Sequence, residues 1–455
     1  MTKPQKIQGM RAFLVIWAGQ AFSLLGSSLT AFALGVWVYQ RTGSVTRFAL
    51  IAFFASLPGL LLSPVAGALV DRWDRRRTLI LSDSAAAVSS VVLLVLLWDE
   101  SKGLLEIWHI YALVALSSVA NALQWPAFTA ATTLLVPKHQ YGRASGLTQM
   151  GLAVSQILAP ILGALLLQWV RMRGILIVDL ATFLVAVLAL LSVRFREIER
   201  PAETGAPRSL LRESTVGWTY LRERPGLLAL LVLFAGTNFN IGMLQALIPP
   251  LILSFASSTS LGTVLSVAGI GMLAGTLVMG AWGGPERRVH GIFAGLLAQG
   301  LILLVGGWQP SVPLVAAAAF LFLFAVPFIN GCSQAIWQAK VPPGVQGRVF
   351  AVRRMVAMSS MPAAYFLAGP LADRVFEPML APGGALAGSV GRVIGVGEGR
   401  GIGFLFVLLG LLVIAALSLA VTYPRLRHVE DEIPDAVPDG AAPAAGDLLE
   451  VQAGG

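Results

Sequence analysis

Cysteine, histidine and charge are the scarce materials of this 455-residue chain, which has one Cys, four His and 12% charged residues. The single Cys332 excludes an internal disulfide framework and a metal site built from several cysteines. His109, His139, His290 and His428 stand at the edges of separate apolar runs. They have neither the spacing of metal ligands nor the company a catalytic triad needs, so no metal is expected. No glycine-rich loop carries the lysine of a phosphate cradle, which excludes direct ATP chemistry, and no cofactor is expected. The scarcity of charge says most. A soluble domain carries about a quarter charged residues. At half that, with 56% hydrophobic residues and a mean hydropathy of +0.78, most of this surface must face something other than water.

What is abundant is long apolar sequence. A spanning helix needs about 20 mainly apolar residues. Twelve such runs lie near 12–39, 47–70, 78–98, 107–135, 144–169, 174–193, 226–254, 261–282, 289–307, 313–339, 349–372 and 402–423. The expected fold is an all-α polytopic membrane protein with twelve transmembrane helices and the lipid bilayer as its partner. The opening Met1-Thr2-Lys3-Pro4-Gln5-Lys6 leads into a run too long for a cleaved signal peptide, so that run reads as a true span. A net charge of +9 raises nucleic acid as a partner, but the 32 Lys and Arg form no stripe. They sit at the ends of apolar runs, and about three quarters of them fall on one side when loops are numbered alternately. By the positive-inside rule both termini are expected in the cytoplasm and the protein in the cell (inner or plasma) membrane. The count leaves no Lys or Arg for the bilayer midplane, which argues against obligate sugar-phosphate or anion exchange. Trp98, Trp108, Trp169, Trp282 and Trp308 near run ends suit an aromatic belt.

The chain repeats itself. Val136, Pro137, Gly142 and Arg143 recur as Val341, Pro342, Gly347 and Arg348. Gly67 with Asp74, Arg75 and Arg76 is echoed by Gly280 with Glu286, Arg287 and Arg288, and Gly19 with Phe22 by Gly236 with Phe239. Three echoes in the same order indicate two pseudo-symmetric six-helix halves, 1–195 and 225–424. Between them, 196–224 is a linker in which Leu210, Leu211, Trp218 and Leu221 share one face of a short amphipathic helix. A plain solvated linker is the alternative. Residues 425–455 are expected to be a disordered cytoplasmic tail, being acidic and rich in Pro, Ala and Gly.

Twelve spans, a six-plus-six repeat and the charged turn Gly67–Arg77 resemble the major facilitator superfamily, over about residues 10–424. The superfamily signature is matched at Gly67, Leu69, Asp71, Arg72, Arg75 and Arg76, and departed from at Asp74, where most members have Gly. With the Val-Pro…Gly-Arg loops, this is similar to the drug and siderophore exporter branch that includes macrolide-efflux and enterobactin-exporter proteins. The resemblance implies that Gly67, Asp71, Arg72, Arg75 and Arg76 act as a latch on one conformation, with Glu286, Arg287 and Arg288 as a degenerate counterpart. Topogenic charge alone is the other reading. Ala159, Pro160 and Gly163, with Ser155 and Ala164 nearby, resemble a degenerate antiporter signature; an ordinary proline kink is its alternative.

Burying a charge at membrane depth is costly, so intramembrane acids are functional candidates. Asp83 and Asp179 are the proton-coupling candidates, each also explicable by a local pair, with Arg75–Arg77 or with Arg171 and Arg173. Asp373 lies at the end of the eleventh run. A path between the halves would be lined by Trp17, Gln20, Asn121, Gln124, Trp125, Gln149, Gln156, Asn238, Asn240, Gln334, Trp337 and Gln338, with Gln245 and Asn330. Amides and indoles suit a bulky amphipathic solute. The function expected is secondary active transport by a monomer, the efflux of drug-like or siderophore-like small molecules with protons as coupling ion. An importer or uniporter of a nutrient on the same fold, and a non-transporting scaffold or sensor, are the alternatives. A membrane-embedded enzyme would need His, Asp or Cys clustered at catalytic depth, and the sequence offers none.

Overall fold

The structure, a computed structural model, describes residues 9–98, 104–137, 140–193 and 217–436. Among the described residues, twelve helices are long and apolar enough to cross a membrane. The first six are α1 Met10–Thr42, α2 Val45–Arg72, α3 Arg75–Leu96, α4 Ile107–Leu135, α5 Tyr141–Trp169 and α6 Arg171–Ser192. The second six are α7 Pro225–Leu253, α8 Ser258–Trp282, α9 Arg288–Gly306, α10 Val312–Lys340, α11 Pro343–Pro370 and α12 Arg400–Thr422. Beyond Pro370, α11 runs on through a π-helical turn, Leu371–Phe376, into a last α turn, Glu377–Leu380.

Length and all-round apolarity make these helices, and short polar signals end them. α1 stops at Gly43, which takes the left-handed conformation (φ 62°) and returns its N–H to the Tyr39 carbonyl, the usual glycine stop. Ser44 and Ser257 cap α2 and α8 by accepting from Arg47 N and Ser260 N. Asp74, the residue that departs from the superfamily signature, caps α3 by accepting from Arg77 N at 2.8 Å. A side-chain oxygen there satisfies a backbone donor that a glycine would leave free.

Helix pairings recur between the two sets of six. α2 packs on α4 as α8 packs on α10, α3 on α4 and α6 as α9 on α10 and α12, and α1 on α5 as α7 on α11. The sets meet along two seams, α2 against α11 and α5 against α8. Both are tightest at the end of the bundle opposite the termini. There Gly369 admits the backbone of Thr46, since a Cβ would overlap Thr46 Cα, and a Cβ on Gly262 would stand 2.6 Å from the Pro160 carbonyl oxygen. Among the described residues, the hydrogen bonds that join the two sets all lie toward this end. Asp373 accepts from Ser44 Oγ, Val45 N and Thr46 N, Gln168 bonds to Thr259, and Ser266 bonds to the Ile157 carbonyl.

Two expectations need correction. The stretch after α12 is ordered as far as residue 436. Leu426 and Val429 are buried in the core of the second half, and Ala436 N donates to the Ala339 carbonyl. Glu430 accepts from Arg288 N and Val289 N, capping α9. Lys340, almost fully buried, holds the same stretch through the Glu430 and Ile433 carbonyls and, at 2.8 Å, Asp435 Oδ1. Two apolar side chains and one carboxylate with helix N–H groups to satisfy outweigh the polar composition; residues 437–455 lie outside the described residues. Arg353 and Arg354 fall inside the eleventh apolar run, although the loop count takes them with the cations at run ends; they lie within α11. Arg353 is half-buried, donates to Gln334 Oε1 at 2.8 Å and stacks over Trp337, neutral partners that make a cation tolerable inside a span. Of the amphipathic linker helix, residues 217–222 are helical and Leu221 is buried, while Leu210 and Leu211 fall outside the described residues.

Candidate functional site

A cavity of about 300 Å³ opens inside the first six helices, lined from α1, α3, α4, α5 and α6. Its walls include Trp17, Gln20, Asn121, Gln124 and Trp125 with both candidate acids, Asp83 and Asp179. Helical spacing explains the gathering. On α1, Trp17, Gln20, Ser23 and Ser27 recur every three to four residues and share a face, and on α3, Asp83 and Ser90 lie two turns apart on one face.

Asp83 is 3% exposed and is held by amides. Gln20 Nε2 donates to one carboxylate oxygen at 2.8 Å and Gln124 Nε2 to the other, and Gln124 also donates to Gln20 Oε1 at 3.0 Å. Asp179 is 6% exposed and is held by hydroxyls, Ser27 Oγ at 3.1 Å and Ser90 Oγ at 2.6 Å. Among the described residues, neither acid is ion-paired with a neighbouring arginine. Arg76, below Asp83, donates instead to the Leu191 carbonyl at 3.0 Å, and no ion pair joins Asp179 to Arg171 or Arg173. Each acid is therefore buried with neutral hydrogen-bond donors and no adjacent cation among the described residues. Such a carboxylate readily exchanges its charge for a bound proton or cation, because only hydrogen bonds offset its desolvation.

The other path residues do not join this site as a group. Trp17, itself a wall of the cavity, donates its Nε1–H to the Leu147 carbonyl at 2.9 Å and fixes α1 on α5. Gln149 and Gln156 are exposed on α5. Asn238 bonds back to the Phe234 carbonyl of its own helix, and Gln245 accepts from Tyr365. Trp337 is fully buried in the second core: it packs that core, so its indole does not line a path. Gln334 is the acceptor for Arg353, and Gln338 and Asn330 are exposed. Asn240 is buried at the wall of a second, apolar cleft between α7, α9 and α12. The polar lining is thus concentrated in the first half, an asymmetry invisible in a count of amides.

The antiporter-like stretch lies on the α5–α8 seam. Ala159 and Ala164 are buried, the Pro160 carbonyl faces Gly262, and Gly163 faces Phe32. Of the charged turn between α2 and α3, the side chains of Gly67, Asp71, Arg72 and Arg75 lie outside the described residues. In its counterpart, Arg287 stands 3.8 Å from Asp431 and Arg288 Nη1 donates to the Gly283 carbonyl, while Glu286 is exposed. That turn engages the segment after α12. Among the described residues, no three His, Cys, Asp or Glu gather as metal ligands.

Comparison with known proteins agrees with this architecture. The family model described as Major Facilitator Superfamily matches residues 16–365. The chain is 30% identical to macrolide efflux protein A of Streptococcus pyogenes over 374 residues, 80% of this chain and 90% of that protein. It is 25% identical to the multidrug efflux pump Tap of Mycolicibacterium fortuitum, over 76% of this chain and 86% of that one. Among solved structures, a bacterial homolog of the human lysosomal transporter Spinster, inward-facing and unoccupied, superposes with a TM-score of 0.70 at 14% identity, covering 95% of this chain and 99% of that one. The nucleoside transporter NupG gives 0.69 at 10% identity, over 90% and 99%. Twelve spanning helices paired twice over, and a family match across more than half of its length, show that this chain belongs to the Major Facilitator Superfamily.

Proposed function

We propose that the protein exports amphipathic drug-like molecules, macrolides among them, from the cytoplasm across the cell membrane in exchange for protons, by alternating access. The observation that carries this reading is the first-half cavity, in which indoles and amides surround a buried carboxylate, Asp83, held among the described residues by neutral donors. Aromatic faces and adaptable amides suit a bulky solute, and Asp83 is the group we assign to proton exchange. The identity to macrolide and multidrug efflux proteins supports the substrate class. The basic end of the bundle is taken as cytoplasmic. The contacts gathered at the far end then correspond to a state closed outside and open inside, and Gly67, Asp71, Arg72, Arg75 and Arg76 are assigned to latching the opposite state.

The test is uptake into inside-out vesicles holding the purified protein, under an imposed proton gradient, with macrolides, dyes and siderophores as probes. Accumulation of a macrolide or dye that collapses with a protonophore, and is lost in Asp83→Asn, is expected. Siderophore uptake alone would move the substrate class. Gradient-driven uptake undiminished in Asp83→Asn would remove Asp83 from coupling.

A further inference from the structure

The two buried acids of the cavity differ in the atoms that surround them. Asp83 faces amide N–H donors. Such donors repel a metal cation, so that site suits a proton or a hydrogen-bonding solute. Asp179 faces oxygen. Ser27 from α1 and Ser90 from α3 donate to its two carboxylate oxygens at 3.1 and 2.6 Å. The Thr30 hydroxyl, on α1 and 9% exposed, is turned toward the same carboxylate but completes no hydrogen bond. Two carboxylate oxygens and three hydroxyl oxygens from three helices thus converge within one buried pocket, beside the cavity that supplies water access.

We propose that Asp179, Ser27, Thr30 and Ser90 form a binding site for a sodium ion inside the first six helices. Hard cations take oxygen ligands, carboxylate, neutral oxygen and water together, and about six of them. The two carboxylate oxygens with Ser27 Oγ and Ser90 Oγ are already in contact, Thr30 Oγ1 would close in as the fifth ligand, and water from the cavity would complete the shell. A bound proton needs a single acceptor and would leave Thr30 without a purpose; a cation uses it. The change asked of the protein is small. Each hydroxyl rotates so that its oxygen faces the ion, and its proton turns to the carbonyl one turn back on its own helix, that of Ser23, Gly26 or Ala86. The cluster is also held together in advance. At Gly26, α1 lies so close to α6 that a Cβ would overlap Thr182 Oγ1 and stand 3.1 Å from Asp179 Oδ1. The single negative charge of Asp179 matches one monovalent ion, so the occupied site is neutral at membrane depth, where an unpaired charge is costly.

Sodium binding is read without transport and so does not depend on the efflux reading. The probe is NaCl titrated against choline chloride and KCl at constant ionic strength, with the full-length protein in detergent at pH 8 and melting followed by intrinsic fluorescence. Sodium is expected to raise Tm by about 3 °C at about a hundred times its Kd, with choline and potassium without effect. Thr30→Ala removes a ligand that bonds to nothing else. It is expected to leave Tm in choline within about 1 °C of the parent and to raise the sodium midpoint at least about tenfold. Asp179→Asn abolishes the response, and Asp83→Asn retains it. Equal melting in sodium and choline, or a sodium response unchanged in Thr30→Ala and Asp179→Asn, overturns the site. If Asp179→Asn does not fold, Thr30→Ala and Ser90→Ala decide the question alone. Sodium binding with no proton-driven uptake would leave the site standing and sink the coupling reading; the reverse would do the opposite.

Discussion

Asp373→Asn isolates what holds the far end of the bundle shut. Asp373 sits in the π-helical turn of α11 and accepts from Ser44 Oγ at 2.7 Å, Val45 N at 3.0 Å and Thr46 N at 2.9 Å. The two backbone donors are the first N–H groups of α2, which belongs to the other half. A carboxylate at a helix N-terminus gains from the helix dipole as well as from the hydrogen bonds. Hydrogen bonds to a charged group are worth about 1.5–3 kcal/mol each net. An Asn keeps the shape and one acceptor oxygen but loses the charge and the second acceptor, so a loss of about 2 kcal/mol is expected. If this contact exists only when the far end is closed, that energy moves the closed-to-open ratio about 30-fold. Ser44→Ala removes one donor to Asp373 and, in both states alike, the cap on Arg47 N, and leaves both backbone donors; it should shift the closed-to-open balance by about 1 kcal/mol. The assay is pulsed electron spin resonance between labels at exposed Arg47 and Arg392, in a Cys332→Ala background. A longer-distance population should grow in Asp373→Asn and grow less in Ser44→Ala. An unchanged distance distribution in Asp373→Asn, in protein of normal yield, would refute the idea that this cap is a gate and leave it a static contact.

Further outcomes follow from the same geometry. Gly369→Val should keep the far end from closing, because even a Cβ overlaps Thr46; the same label pair should report the open distance with transport lost. Lys340→Met should free the segment after α12, removing the donor to Glu430, Ile433 and Asp435. New protease cleavage between residues 424 and 436 and a Tm lower by a few degrees are expected, and resistance to cleavage would count against the clamp. Glu430→Gln takes the negative charge from the N-terminus of α9 and should cost about 1 kcal/mol in a reversible chemical unfolding of the second half. A cost near zero would mean that the neutral amide caps as well.

Bulk hydrophobicity alone sets the number of spanning helices, because a polar backbone in hydrocarbon must close its hydrogen bonds within its own segment. Twelve apolar runs therefore read as twelve spans, and each falls on one of the twelve helices. The charged turns, the internal repeat and the family signature were likewise local patterns, legible one window at a time. Asp83 and Asp179 could be singled out on the same ground, since an acid in an apolar run is conspicuous. Their partners could not. Asp83 meets Gln20 and Gln124, and Asp179 meets Ser27 and Ser90, across dozens to more than a hundred intervening residues, while Arg76, which sequence proximity favours for Asp83, donates to the Leu191 carbonyl instead. Trp337 and Asn238 share the composition of a path lining, yet one fills a core and the other bonds to its own helix. Which face of an all-apolar helix turns inward depends on its neighbours, and a helix apolar all round carries no periodicity to reveal it. The order of residues 425–436 was hidden for a related reason: their polar composition reads as disorder until α9 and Lys340 supply the buried donors that only the folded bundle brings within reach.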